Sequence, residues 1–199
     1  MVGAVSGPGH NGGPSLEGGV AWRTHCWRSA RAALLPVLPI EVIRTRVRRA
    51  AELGLDYKTY AGVRATTGRD IVAFLFSTNA LGILRHGDTP TAQATERMAG
   101  ILGAGQVIAV HAPFDPDRIA ADLRAQGIAV TRAAAAPTLA DGWGGTRARI
   151  LSLLAPDRLP ADGVLLVGET PLEREWAEAG RLAGFLPAAR YFGTGAQGL

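Results

Sequence analysis

The spacing of apolar residues changes character near residue 69. Before that point the apolar positions recur at helical intervals. Trp22, Cys26, Ala30 and Leu34 are four apart and predict a helix over 20–35. Pro36 and Pro39 break it. Val42, Ile43, Val47, Ala50 and Leu53 form the stripe of a second helix over about 40–53, and Gly54 suits its stop. Asp56 is a good N-cap for a third helix over about 57–66. After Gly68 short apolar runs take over. "DIVAFLFS" (70–77), "GQVIAVHA" (105–112), "IAVTRA" (128–133) and "DGVLLVG" (162–168) read as strands, and "AARYFG" (188–193) as a final edge strand. Helical segments fall between them, at 89–102, 115–127, 146–155 and 170–184. Strands alternating with helices imply a parallel sheet with helices on its faces. The expected fold is therefore α/β. A Rossmann-like parallel-sheet domain of four to five strands, 69–199, follows a small all-helical module, 20–68. Residues 1–19 are Gly-rich, lack apolar periodicity and are expected to be a flexible tail.

Composition narrows the class. Hydrophobic residues make up 47% and charged residues 19%, as in soluble globular proteins. "ALLPVLPI" (33–40) and "DIVAFLF" (70–76) fall well short of the roughly 20 apolar residues that a membrane span needs. The first residues carry neither a basic start nor an apolar core, so no secretory signal is expected. The single cysteine, Cys26, excludes an internal disulfide framework. Four scattered histidines show no metal-ligand spacing, and no metal site is expected. A cytoplasmic location follows from these readings.

Charge is unevenly spread. Residues 1–70 hold ten Lys/Arg against five Asp/Glu, whereas 71–199 hold eleven against twelve. A basic first third points to an anionic partner such as nucleic acid. Twenty arginines against one lysine, Lys58, also fit a coding bias.

"RAAELGLDYKTYAGVR" (49–64) reads as helix, glycine corner, helix. Ala50 lies four before Gly54, and Leu53, Leu55, Tyr60 and Val63 could share a core. This stretch resembles helix-turn-helix DNA-binding proteins over some 22 residues. The resemblance implies nucleic-acid contacts from Arg48, Lys58, Thr59 and Arg64. Arg49 departs from the pattern, because an apolar residue is expected there. A structural corner in a helical subdomain is the competing reading.

Ligands of parallel sheets bind beyond the carboxyl ends of the strands. "STNALG" (77–82) offers Ser77, Thr78 and Asn79 to a phosphate or carboxylate, or as caps. "DGWGGTRARI" (141–150) resembles a phosphate cradle, with Gly144, Gly145, Thr146 and Arg147 as candidates; the competing reading is a flexible loop with Thr146 as N-cap. His111 ends the second strand with Asp115 four residues on, a possible general-base pair or a loop histidine. "VGETPLERE" (167–175) is covered by helix capping through Thr170, Pro171 and Glu173, which leaves Glu169 as a catalytic candidate. "DTP" (88–90) and "DPD" (115–117) repeat the Pro-started device. No dinucleotide fingerprint, P-loop or G-x-S-x-G is present.

The stretch "LPADGVLLVGETPLEREWAEAGRLAGF" is similar to the last strand–helix unit of haloacid-dehalogenase-like phosphatases. That resemblance implies a Mg²⁺-holding role for Glu169. The family's nucleophile is an aspartate in a DxD at the end of the first strand, where this chain has "FLFSTNAL".

These readings predict a binding or regulatory protein. Its helical module contacts nucleic acid, and its α/β domain binds a small anionic ligand or a partner. The alternatives are an α/β enzyme, hydrolase or transferase, acting on a phosphorylated or nucleotide-like substrate with the helical segment capping its ligand edge, and an interaction protein without catalytic activity.

Overall fold

The computed structural model describes residues 38–193. The expected tail over 1–19 and helix over 20–35, with Cys26, lie outside the described residues. A compact unit begins at Ile43. The elements in chain order are α1 (Ile40–Glu52), α2 (Tyr57–Thr67), β1 (Ala73–Ser77), α3 (Ala92–Ala99), β2 (Gly105–Val110), α4 (Pro116–Ala125), β3 (Arg132–Ala135), α5 (Trp143–Leu154), β4 (Val164–Gly168), α6 (Pro171–Gly180), β5 (Gly184–Pro187) and α7 (Ala188–Phe192).

Five strands pair in the order β3-β2-β1-β4-β5, every pair parallel. The chain starts in the middle of the sheet, builds outward to β3, then returns to lay β4 on the other side of β1. This is the α/β architecture expected from the alternation of strands and helices. Side chains along the central strands alternate between two cores, as the two-residue period of a strand requires. Phe74, Phe76, Ile108, Val110, Leu165 and Val167 face one side, where α3, α4 and α7 pack. Ala73, Leu75, Val107, Ala109, Val164 and Leu166 face the other, under α5 and α6.

The helical pair from Ile43 onward belongs to the same compact unit as the sheet. Ala50, Leu53, Leu55 and Tyr60 are buried in the first core together with the strand residues. Gly54 turns the corner at φ +67°, and the Tyr191 hydroxyl donates to the Leu53 carbonyl beside it (3.1 Å). Asp56 caps α2 by accepting from the Thr59 N–H (2.8 Å). Its hydrogen bonds with Thr59 hold the carboxyl below its ordinary pKa.

Arg49 explains its own departure from the helix-turn-helix pattern. Its guanidinium donates to the carbonyls of Ile71 (3.1 Å), Leu102 (3.0 Å) and Gly103 (2.9 Å) and to Asp70 (3.1 Å) and Glu52 (3.1 Å). Those carbonyls precede β1 and β2, so Arg49 ties the corner to the edge of the sheet where the strands begin. These contacts of Arg49 lie at the strand starts, on the opposite edge from the one where parallel sheets bind ligands; residues 20–37 of the expected cap lie outside the described residues.

Three local expectations are also corrected. Ladder pairing of β3 begins at Arg132, not at Ile128: Ile128 and Val130 are buried but precede the register with β2. Residues 188–193 form a helical turn, and the edge strand is Gly184–Pro187 just before it. In a strand Tyr191 and Phe192 would point to opposite faces. In the turn both rings enter one core, with centroids 5.7 and 6.0 Å from Phe76. Finally, "DTP" starts no helix at its proline. Thr91 caps α3, and Asp88 instead accepts from the Leu84 and Arg85 N–H groups. The proline device holds for α4 and α6.

Candidate functional site

β1, β2 and β4 are adjacent and end at one edge, at the point where strand order reverses. Their registers set Ser77 beside Ala109 and Phe76 beside Val167. The segments that follow them bring Thr78, Asn79, His111 and Glu173 together. Ser77 and Thr78 are buried. Ser77 Oγ accepts from the Ala80 N–H (3.0 Å) and shapes the turn after β1.

The His111 imidazole faces three side chains, with Asn79 Nδ2 at 3.4 Å from its Nε2. Its Nδ1 is 2.8 Å from Thr78 Oγ1, and its Nε2 is 3.5 Å from Glu173 Oε1. The His111 backbone N–H also donates to Thr78 Oγ1 (3.2 Å). With Thr78 donating its O–H to Nδ1, Nε2–H faces the Glu173 carboxylate, and Asn79 Nδ2, 3.4 Å from Nε2, gives its hydrogen to Glu173 Oε1. This tautomer is assigned from the network. Trp176 stacks on the imidazole at 5.3 Å. Burial lowers the His111 pKa below its ordinary value, and the Glu173 charge only partly opposes this, so the neutral ring is favoured.

Glu173 is fully buried. Its Oε2 accepts from the Glu169 N–H (2.6 Å) and the Thr170 N–H (2.8 Å), and its Oε1 from Asn79 Nδ2 (3.1 Å). The capping box with Thr170 is therefore present, and the same carboxylate reaches the ends of β1 and β2. Gly168 allows this approach. A Cβ there would lie 2.6 Å from Phe185 Cε2 and 3.1 Å from Glu173 Oε2.

Hydroxyl, imidazole and carboxylate in a row are the parts of a nucleophile–base–acid relay. Exposure decides against that use here. Thr78 is 0% exposed and Glu173 is 0% exposed, while the His111 side chain is 22% exposed with both ring nitrogens engaged. The cluster thus locks three strand ends together and supplies a polar, internally satisfied floor.

Two cavities flank it. One, of about 390 Å³, is walled by Ala80, Leu81, Ala94, Ala188 and Phe192, with Glu169 at its rim. The other, of about 550 Å³, lies between residues 83–89 and α4. It mixes Arg85 and Arg118 with Asp88, Asp115 and Asp122.

The remaining candidates are placed as follows. Asp115 does not pair with His111. It is exposed and caps α4 by accepting from the Asp117 N–H (3.0 Å), and Glu173 is the carboxylate that faces the imidazole. Gly144, Gly145 and Thr146 lie inside the first turns of α5, whose N-cap is Gly142, so the expected glycine loop is helix. Thr146 Oγ1 donates to the Asp141 carbonyl (3.2 Å), and Arg147 donates to the Ala179 carbonyl (3.1 Å), which ties α5 to α6. Arg48 is 75% exposed on its side chain, 4.0 Å from Glu52, and Lys58 is exposed. Thr59 is engaged by Asp56 and by Arg190 (2.7 Å), and Arg64 lies 3.9 Å from Asp70.

Glu173 was absent from the sequence candidates because capping accounted for it. A signal was available: it shares a helical face with Trp176, Ala177 and Gly180, all buried. A carboxylate on the inward stripe of a helix must meet donors.

The donor set does not fit the Mg²⁺ implied by the phosphatase resemblance. β1 ends at Ser77 and is followed by Thr78 and Asn79, with no carboxylate, and both Glu173 oxygens already accept N–H bonds. Mg²⁺ requires carboxylate oxygens free to face it. The described residues hold no group of three or more His, Cys, Asp or Glu side chains arranged for a metal ion. Among the described residues no helix is long and apolar enough to cross a membrane. Comparison of the chain with known protein families, curated proteins and solved structures finds no match.

Proposed function

We propose that this chain is a small-molecule-binding α/β protein whose ligand sits in the cavity between the turn after β1, α3 and α7. One observation carries the reading. An apolar-walled cavity of about 390 Å³ lies against the turn after β1 and against Glu169 after β4, at the strand ends where the strand order reverses and where parallel sheets take ligands. The adjacent polar cluster is satisfied internally, which favours binding over catalysis. No Lys or Arg is among the described residues that line the cavity, and the reading takes a small, mostly apolar ligand in place of the anionic one. The test is titration with 2-phenylethanol, followed by methyl chemical shifts of Ala80, Ala94 and Ala188. A Kd of roughly 0.1–1 mM corresponds to about 0.5 kcal/mol per heavy atom of a nine-atom ligand. Ala189 is exposed and lines the cavity, so Ala189→Phe fills the space from outside the core and abolishes the shifts. Shifts that survive this change refute the location.

The exposure of Arg48 and Lys58 supports a second reading, nucleic-acid contact along α1 and α2. Two phosphate contacts lower affinity about 12-fold between 50 and 200 mM salt, whereas four lower it about 150-fold. A duplex-binding titration at both salts distinguishes two contacts from four, and absence of binding at 50 mM removes the reading.

A further inference from the structure

We infer that the second cavity, the space of about 550 Å³ between residues 83–89 and α4, is a separate site for an amphipathic monoanion: an aromatic or aliphatic body ending in a carboxylate. This goes beyond the reading above, which concerns the other cavity. The walls come from the segments that follow β1 and β2, at the edge where parallel sheets take ligands. The apolar part of the lining is Ile83, Pro113, Phe114 and Ile119. Ile83 and Ile119 are buried, and Phe114 packs partly buried against the same core. Such a floor takes a hydrocarbon body.

The charge of the occupant follows from which lining side chains are already taken. Asp88 Oδ2 accepts from the Leu84 N–H (2.9 Å) and the Arg85 N–H (2.7 Å). Asp115 Oδ1 caps α4 by accepting from the Asp117 N–H (3.0 Å). Asp122 faces Arg118 one helical turn away, at 4.0 Å. Arg85 differs from all of these. Its main chain is held twice by Asp88, whose carboxylate takes the Arg85 N–H and whose N–H donates to the Arg85 carbonyl (3.1 Å). Its guanidinium has no hydrogen-bond or ion-pair partner among the described residues, and the residue is exposed. His86, next to it, sets its ring edge-on to Phe114 at 5.2 Å, and its ring nitrogens make no hydrogen bond among the described residues. An anchored guanidinium and an imidazole thus stand uncommitted beside aromatic surface. The guanidinium fork matches a carboxylate through two parallel N–H bonds. The aspartates restrict the ligand's charge. They repel a dianion twice as strongly as a monoanion, and one free guanidinium offsets one charge. The same aspartates would favour a cation if their present bonds left them charge to spare, so a cationic probe belongs in the test.

The experiment titrates the full chain with three probes of one shape, 3-phenylpropionate, 3-phenylpropan-1-ol and 3-phenylpropylamine, and with phenyl phosphate as the dianion. The δ1-methyl shifts of Ile83 and Ile119 report on this cavity, and the methyl shifts of Ala80, Ala94 and Ala188 on the other. The propionate is expected to bind about 3- to 10-fold more tightly than the alcohol and the phosphate, the scale of one partly exposed bidentate ion pair, and the amine no more tightly than the alcohol. Arg85→Gln brings propionate and alcohol within about 2-fold of each other and leaves the alcohol's affinity unchanged. The bonds between Arg85 and Asp88 use the Arg85 main chain, so the variant keeps the far-ultraviolet spectrum and urea midpoint of the parent; Arg85→Ala serves the same comparison if Gln misfolds. Equal affinities for propionate and alcohol, a preference for amine or phosphate, or a propionate preference that survives Arg85→Gln would each overturn the anionic assignment. The absence of saturable shifts at Ile83 and Ile119 with every probe up to about 10 mM overturns the site itself. Neither result touches the cavity beside Glu169, which is read by its own three alanines. Ala189→Phe fills that other cavity and leaves the Ile83 and Ile119 titrations unchanged; their loss in this variant would show that the two cavities are not separate sites.

Discussion

Replacing Glu173 by Gln tests whether one buried carboxylate holds the strand ends together. Two main-chain donors, Glu169 N–H at 2.6 Å and Thr170 N–H at 2.8 Å, are fixed in place and must keep an oxygen. The single glutamine oxygen therefore takes the Oε2 position, and the new amide NH₂ faces Asn79 Nδ2 and His111 Nε2. Asn79 can turn its own amide to offer an oxygen, so that contact survives in altered form. The two main-chain bonds lose their charge assistance, about 1 kcal/mol each. The N-terminus of α6 loses a favourable charge, about 0.3–1 kcal/mol. Relief of the buried carboxylate's desolvation returns part of this. The net expectation is a loss of about 2 kcal/mol. For a unit of this size that lowers the melting midpoint by about 4–8 °C. Urea denaturation followed by circular dichroism measures it, with Glu175→Gln, exposed on the same helix, as the control. If Glu173→Gln falls within about 0.5 kcal/mol of the control, the carboxylate is not organising the cluster and the reasoning fails.

Further predictions follow from the same geometry. His111 has a folded pKa below its ordinary value, so the unfolded chain binds the proton more readily. Its contribution is present in full above about pH 6.5 and is lost as pH falls toward the folded pKa. Urea midpoints taken from pH 8 to 5 should show this slope, and a His111→Gln variant with the same slope would contradict it. Arg49→Ala takes this donor from the Ile71, Leu102 and Gly103 carbonyls, leaves Asp70 with Tyr60 and the Ile71 N–H, and should cost about 2–3 kcal/mol, whereas Arg48→Ala stays within about 0.5. Equal effects from the two in denaturant titrations would show that Arg49 is an ordinary surface residue. Gly168→Ala forces a methyl to 2.6 Å from the Phe185 ring and should cost about 1–3 kcal/mol, with altered shifts at His111; an unperturbed variant would mean that Phe185 yields freely.

Local patterns along the chain were enough for the class of fold. Continuous apolar runs at β1, β2 and β4 announce strands covered on both faces, because each residue of such a strand meets a helix layer on one side or the other. Asp56, Asp115 and Thr170 cap helices as their spacing implied, since capping is settled within four residues. Segments whose state depends on distant partners were misread. Tyr191 and Phe192 are helical because Phe74 and Phe76, more than a hundred residues away in sequence, offer one face to both rings. Gly144 and Gly145 read as loop by propensity but lie in α5, whose Ile150, Leu153 and Leu154 are buried against the sheet.

The sequence alone marked Thr78, Asn79 and His111 as strand-end residues, because strand ends follow from local hydrophobic runs. It could not say which strand ends are neighbours. Strand order is set by how the crossover helices cover the two faces, and that is a property of the packed molecule. Only the order β3-β2-β1-β4-β5 places His111 against Glu173 instead of Asp115, and turns Glu169 toward a cavity instead of a metal. The same packing decided the fate of the basic corner. Arg49 and Arg64 carry the charge of a nucleic-acid surface in the sequence, but carbonyls and Asp70 at the start of the sheet take them up. Charge is written in the chain; whether it faces a partner or the protein's own backbone is settled only when the sheet forms beneath it.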